Sequence, residues 1–308
     1  MAGKTMQTRE DIEKLYTDTY RTRMPLYNDY VFHRIYGSDT EESHAALIGL
    51  LNIILGRKDD PIRSIEIKNT VDYGERPEEK DTTMDIKAET DTGELLTIEM
   101  QVGHLAAYRN RALFYGGRLV NSSLQSGKNY DMMKKSIVVS IIESRLFPED
   151  IPCHSVFLVR EENTGHILSD RLMFHFLELG KADPAKPPEA MTPIERLAVY
   201  LRYANDENYK DAVQEICEKE EGIIMAESIY RRATKEEREA AWAESRFYFQ
   251  LQQNTEREMA LEEGEAIGLK KGEAMKQREI AKNLKELGIG LSEIVKSTGL
   301  TAEEVEML

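Results

Sequence analysis

Asp85, Glu99 and Gln101 are the residues of this chain whose types and spacing could do chemistry. They lie in 82–102, TTMDIKAETDTGELLTIEMQV, which reads as a β-hairpin carrying one carboxylate on each strand. The first strand, Met84 to Thr90, sets Ile86 and Ala88 on one side and Asp85, Lys87 and Glu89 on the other, the period of a half-buried strand. Asp91, Thr92 and Gly93 supply the turn, with Gly93 free to take a positive φ. If Thr90 faces Glu94 across that loop, counting outward sets Asp85 opposite Glu99 on the returning strand, Leu95 to Val102, and Gln101 follows on the same face. A slip of one residue would turn the side chains of one strand to the other face.

Two carboxylates on one sheet face suit a hard divalent cation. Mg²⁺ takes oxygen ligands in octahedral geometry, usually one or two carboxylates with waters and phosphate oxygens. An ion so placed lowers the pKa of a water and neutralises charge on a transferring phosphate. Gln101 is neutral and cannot be a strong base, but its amide could orient the attacking water or contact the phosphate. The plainer reading is a solvated strand face with cross-strand polar pairs, and spacing alone leaves both readings open.

The elements that must position these residues follow from periodicity and punctuation. Thr40 to Leu55 has a long apolar face and stops at Gly56, Ile62 to Ile67 alternates as a strand, and GERPEEKD makes an exposed loop. After the hairpin a helix runs from about His104 to Leu124. Ser136 to Ile142 is a short apolar run that fits a strand covered on both faces, and His154 to Val159 and Leu172 to Leu179 are further strands. On the helix Tyr108, Arg111 and Tyr115 fall at i, i+3 and i+7 and share one face. Either the guanidinium clamps a phosphate with the tyrosines against sugar or base, or Arg111 ties helix to sheet through a carboxylate while the tyrosines line the core. Arg109 and Arg118 read as solvated side chains able to follow a nucleic-acid backbone, and His104 as a surface histidine near Gln101.

Five blocks occur in order: DYVFHRIYG (29–37), ALIGLLNIILG (46–56), MDIKAETDTGELLTIEMQ (84–101), YRNRALFYGGRL (108–119) and GKNYDMMKKSIVVSII (127–142). Together they resemble the Rpn family of recombination-promoting nucleases and transposases, part of the PD-(D/E)XK nuclease superfamily, over about residues 24 to 180. The resemblance implies an α/β fold, a restriction-endonuclease-like mixed sheet flanked by helices, followed here by a charged all-helical C-terminal region. It places the superfamily's Asp on Asp85, its Glu on Glu99 and its final Lys position on Gln101, a departure from the commoner Lys that also occurs elsewhere in the superfamily. It further implies a metal-dependent DNA endonuclease that hydrolyses phosphodiester bonds in recombination or transposition. Asp85 and Glu99 would be the ligands of Mg²⁺, with Mn²⁺ as the alternative ion, and Gln101 would be the third catalytic residue. Arg111, Tyr115, Tyr108, Arg109 and Arg118 would be the DNA contacts. The Lys of the family's Phe-Lys pair is His33 here, after Phe32, and no role carries over to it. Two other readings stay open: a DNA-binding or architectural protein of the same fold without turnover, and an interaction protein that works through its helical tail.

A formal charge of −15 argues against a protein that coats nucleic acid nonspecifically. Between Gly103 and Lys135, however, six basic residues (Arg109, Arg111, Arg118, Lys128, Lys134, Lys135) face the single acid Asp131, so a local basic strip remains. Cys153 and Cys217 are far apart and read as two reduced thiols. With no signal pattern at the N-terminus and no apolar run of membrane-spanning length, the expected location is cytoplasmic, with no membrane partner.

The expected domains are a nuclease-like domain over 1–180, a proline-rich linker over 181–191, a charged helical region over 192–277 and a helix-turn-helix-like tail over 278–308. Within the charged region Trp242, Phe247, Tyr248 and Phe249 are the aromatic cluster, and the region offers a surface for a homo-oligomer. The tail reads as three short helices around Ile280, Leu284, Leu287, Ile294, Val295, Leu300, Val305 and Leu308. Its second helix carries only Lys296 as a cation, which favours a protein-binding over a base-reading module.

Overall fold

The computed structural model describes residues 24–69, 71–72, 82–83, 85–103, 107–124, 129–233, 268, 272 and 274–308. Two helices come first, α1 (Asp29–Tyr36) and α2 (Glu41–Ile54), each capped by a side chain: Asn28 accepts from the Val31 amide and Thr40 from the Ser43 amide. The strands β1 (Ile65–Ile67), β2 (Val71–Asp72), β3 (Thr82–Thr83), β4 (Ile86–Thr90) and β5 (Leu95–Gln101) follow. Helix α3 (Tyr108–Ser122) then leads to β6 (Ser136–Ile142), β7 (His154–Arg160) and β8 (Ile167–Glu178). A six-stranded mixed sheet has the order β1-β4-β5-β6-β8-β7, while β2 and β3 pair separately. Strands β5, β6 and β8 are mutually parallel and the remaining pairs are antiparallel. Because parallel neighbours cannot be joined by a tight turn, α3 serves as the crossover from β5 to β6.

The turn between β4 and β5 sets everything near the carboxylates. The Thr90 amide donates to the Glu94 carbonyl at 3.0 Å, the Gly93 amide donates back to the Thr90 carbonyl at 2.9 Å, and Gly93 has φ +80°. Glycine takes that conformation without a Cβ penalty. Outward from the turn the partners are Glu89 and Leu95, Ala88 and Leu96, Lys87 and Thr97, Ile86 and Ile98.

One face of the sheet carries Leu96, Ile98, Met100, Ile137, Val139, Ile141 and Leu177 into the main core, where they meet α1 and α2 and the later helices α4 (Pro193–Tyr203), α5 (Lys210–Lys219) and α6 (Glu221–Arg231). The other face packs Val138, Ile142, Phe174 and Phe176 against Tyr108 and Ala112 of α3. The alternation in β4 suggested one solvated face. Instead Lys87, on the polar side, is buried at 7 % exposure, while Glu89 beyond it is partly exposed and paired with Lys134. The strand expected from Ile62 begins at Ile65: Asn52 holds both the amide and the carbonyl of Ile62, at 2.8 and 3.1 Å, and keeps that residue off the ladder. Within the expected helical region, Glu220, with a ψ of +96°, separates α5 from α6.

The proline-rich stretch 181–191 crosses by two short 3-10 turns, with Pro188 and Met191 buried, and α4 to α6 beyond it share the core of the sheet. The chain divides into two compact units, Met1–Ser245 and Arg246–Leu308. In the second, helix α7 (274–286), α8 (Leu291–Thr298) and α9 (Ala302–Glu306) enclose Ala281, Ile294, Leu300 and Val305, with Leu284 and Val295 against them. Ile280, Leu287 and Leu308, expected in that core, are exposed, since α7 turns Ala281 and Leu284 inward. The charged stretch 234–267, with Trp242 and its aromatic neighbours, lies outside the described residues, and with it most of the surface expected to oligomerise. Among the described residues no helix is long and apolar enough to cross a membrane.

Helix α2 approaches α6 through two glycines, and a Cβ on Gly49 would sit 2.3 Å from the Gly222 carbonyl oxygen. Gly117, in α3, has open space around its missing Cβ. Gly49→Ala should therefore cost about 1–3 kcal/mol of unfolding free energy by overpacking. Gly117→Ala should add about 0.5–1 kcal/mol by helix propensity. Equal denaturant midpoints for the two variants would rule this packing out.

Candidate active site

The hairpin register, continued by one step past Ile86 and Ile98, brings Asp85 and Glu99 together. The Asp85 amide donates to Glu99 Oε1 at 3.3 Å, and the Met100 amide donates to Asp85 Oδ2 at 2.8 Å. Thr97, on the same face of β5, donates its hydroxyl to Glu99 Oε1 at 3.0 Å. Glu99 is buried and Asp85 partly so. Burial, and after it the negative charge of Asp85, pushes the Glu99 carboxyl up to about 8. Burial also raises Asp85, against the Met100 amide and the charges of Arg111 and His33, which favour its ionised form.

Arg111 reaches this site from the first turns of α3. Its guanidinium donates to Gln101 Oε1, while Gln101 Nε2 donates to the Val102 carbonyl at 3.1 Å. The Arg111 guanidinium carbon lies 4.9 Å from the centre of the Tyr108 ring and 5.8 Å from that of Tyr115. Both tyrosines are buried, and burial pushes the Tyr115 phenol up to about 12. The tie between helix and sheet thus runs through the amide of Gln101 and not through a carboxylate. The tyrosines lie on the buried side of the helix, with Arg111 itself exposed.

The rest of the basic strip is distributed differently. Arg109 lies over Phe147 at 5.8 Å and Arg118 over Phe114 at 5.6 Å, on the outer part of α3. Lys134 pairs with Glu89, and Lys135 lies 3.8 Å from Glu94, which also takes Arg57 at 2.6 Å. His104 and Lys128 lie outside the described residues. His33, to which the sequence assigned no role, is exposed on α1, which packs against β5, and its charge reaches Asp85. The signal available for it was its place after the buried Phe32, on the outward side of an amphipathic helix.

The donor set fits a hard cation. Two carboxylates share a buried position in which like charge and desolvation both disfavour full ionisation, and a divalent ion would reverse that preference. Among the described residues no three His, Cys, Asp or Glu side chains converge, so the protein offers two carboxylates and leaves the other ligand positions to water and substrate oxygen. That is the pattern of Mg²⁺ and Mn²⁺ sites, and it is unlike a closed structural zinc site. The cavity of about 490 Å³ lined by Gly49, Arg57, His154, His175 and Pro193 belongs to the other face of the sheet and does not include these residues.

The chain matches no curated protein and no solved structure. Residues 26–261 match the profile of a PD-(D/E)XK nuclease family transposase, and they contain the mixed sheet, the Asp85 and Glu99 pair, Gln101 and Arg111. The match covers most of the chain, and the chain belongs to the PD-(D/E)XK nuclease family transposases.

Proposed function

We propose that this protein is a divalent-metal-dependent DNA endonuclease of recombination or transposition, with Asp85 and Glu99 as its metal ligands. The observation that carries the proposal is the placement of the buried Glu99 on β5 and the partly buried Asp85, one residue before β4, across from each other and beside a guanidinium. Family membership supplies the nuclease class. Mg²⁺ is the expected ion and Mn²⁺ the alternative. Once bound, it would activate a water for attack and neutralise charge on the phosphate.

The remaining work falls to the chain. Thr97 and the two strand amides hold the carboxylates in one orientation, so little reorganisation is required when a cation arrives. Gln101 retains one lone pair and one N–H beyond its present bonds, enough to orient a water beside the phosphate. Arg111 can present further N–H groups to a phosphate oxygen, and Tyr108 and Tyr115 serve the DNA contact by supporting that guanidinium. Arg109 and Arg118 would follow the backbone further along α3. Cytoplasmic location and assembly through the charged C-terminal region belong to the same proposal.

A second reading, DNA binding without turnover, is favoured by the neutral residue at position 101. Nicking of supercoiled DNA with Mg²⁺, Mn²⁺ and EDTA separates the two, because only a nuclease gives a metal-dependent product. Asp85→Ala and Glu99→Ala should each abolish nicking while leaving the folded protein's circular dichroism unchanged. Wild-type cleavage by either variant would refute the site.

DNA binding should depend on Arg111. Arg111→Ala is expected to weaken binding and to reduce the slope of log affinity against log salt by ~1, one lost phosphate contact. Removal of residues 279–308 should leave cleavage of plain duplex largely intact, since α8 offers only Lys296. Loss of binding on truncation, with no change in Arg111→Ala, would instead make the tail the DNA module.

A further inference from the structure

We propose that Arg111 supplies the positive charge that position 101 lacks, and that Gln101 is the positioning residue that holds the guanidinium at the carboxylate pair. The proposal rests on the nuclease reading and adds a division of labour within it. Two neighbours fix the orientation of the Gln101 amide. The Val102 carbonyl can only accept, so it takes Nε2 at 3.1 Å, and the guanidinium can only donate, so it takes Oε1. The flipped amide would set donor against donor and acceptor against acceptor.

Arg111 is held from below as well. Tyr108 and Tyr115 stand three residues before and four residues after it on α3, so the two rings flank the guanidinium on one helix face. Both rings are buried in the helix–sheet contact and cannot follow the arginine out to solvent. An otherwise exposed, flexible side chain is thereby restricted to the region above Gln101, with cation–π attraction added to the hydrogen bond. From there its charge acts on both Asp85 and Glu99. Lys134 and Lys135, the described lysines of the basic strip, are engaged by Glu89 and Glu94.

The consequence is a two-residue substitute for a single lysine. A lysine at 101 would carry its ammonium from β5 toward the phosphate. Here β5 contributes a neutral acceptor, and the cation comes from α3. The planar guanidinium uses one N–H on Gln101 and keeps others for a phosphate oxygen, which a point-like ammonium could not do with the same directionality. Gln101 acts on the substrate charge through Arg111, and Arg111 is the group expected to touch the phosphate.

The test is a set of variants at positions 101 and 111, assayed for metal-dependent nicking of supercoiled DNA, with thermal melts as the check on folding. Arg111→Ala and Gln101→Leu should each lower kcat by ~10²-fold, as for loss of one group that stabilises transition-state charge. The pair Gln101→Leu with Arg111→Ala should lose much less than the product of the two single losses, because Gln101 acts on the phosphate charge through Arg111. Gln101→Lys placed on Arg111→Ala should recover at least tenfold of the lost rate, a rescue that a merely structural role for Gln101 would not give. Multiplicative losses in the double variant, or no recovery with the lysine, overturn the proposal. So does Gln101→Leu at wild-type rate. If Asp85→Ala abolishes cleavage while the lysine fails to rescue, only this division of labour falls. If wild-type protein shows no metal-dependent cleavage, the nuclease reading falls and this inference with it.

Discussion

The pairing register of β4 and β5 is the constraint on which the site depends. A displacement of one residue would move Asp85 away from Glu99 and would also turn Ile98 and Met100 out of the main core. Those two penalties act together, so the same apolar contacts that stabilise the sheet specify the carboxylate pair. The three-residue turn fixes the starting point through Gly93, and β6 fixes the far edge by pairing with β5 along its whole length. Bringing two buried carboxylates into one place is unfavourable in itself. The fold tolerates it because backbone amides, the Thr97 hydroxyl and the Arg111 charge each offset part of that repulsion.

The two faces of the sheet divide the labour. One is almost wholly apolar and receives α1, α2 and α4 to α6, giving the rigidity against which β5 is held. The other carries Thr97, Glu99 and Gln101 beside α3, whose own apolar side covers β6 and β8. Helix phase then decides which part of α3 meets the site. Tyr108, Ala112, Tyr115 and Leu119 face inward, and Arg111 emerges at the boundary between the buried helix face and solvent, next to Gln101.

Charge is distributed by the same logic. The chain is acidic overall, and of the basic residues after the hairpin Arg111 is the one whose charge acts on both Asp85 and Glu99. Lys134 and Lys135 are drawn to Glu89 and Glu94 near the turn, which leaves the arginines of α3 as the cations on the outer helix surface nearest the carboxylates. Electrostatic attraction for a polyanion is therefore local, and the net charge says little about it.

Local features were legible in the sequence. The turn chemistry, the period of two and the loop length gave the position of Asp85 across from Glu99. The apolar run 136–142 marked β6, and the spacing of Tyr108, Arg111 and Tyr115 put them on one helix face. Ordered blocks of sequence pointed to the family, which the match over 26–261 shows. What covers each face was not legible. A period of two separates the sides of a strand but does not report what packs on the polar side, so the burial of Lys87 in β4 was not legible. The approach of His33 to Asp85 and the choice of the Gln101 amide as the anchor of Arg111 were also decided in three dimensions. Each depends on how separate elements pack and on the depth at which a side chain stops, and sequence spacing encodes neither.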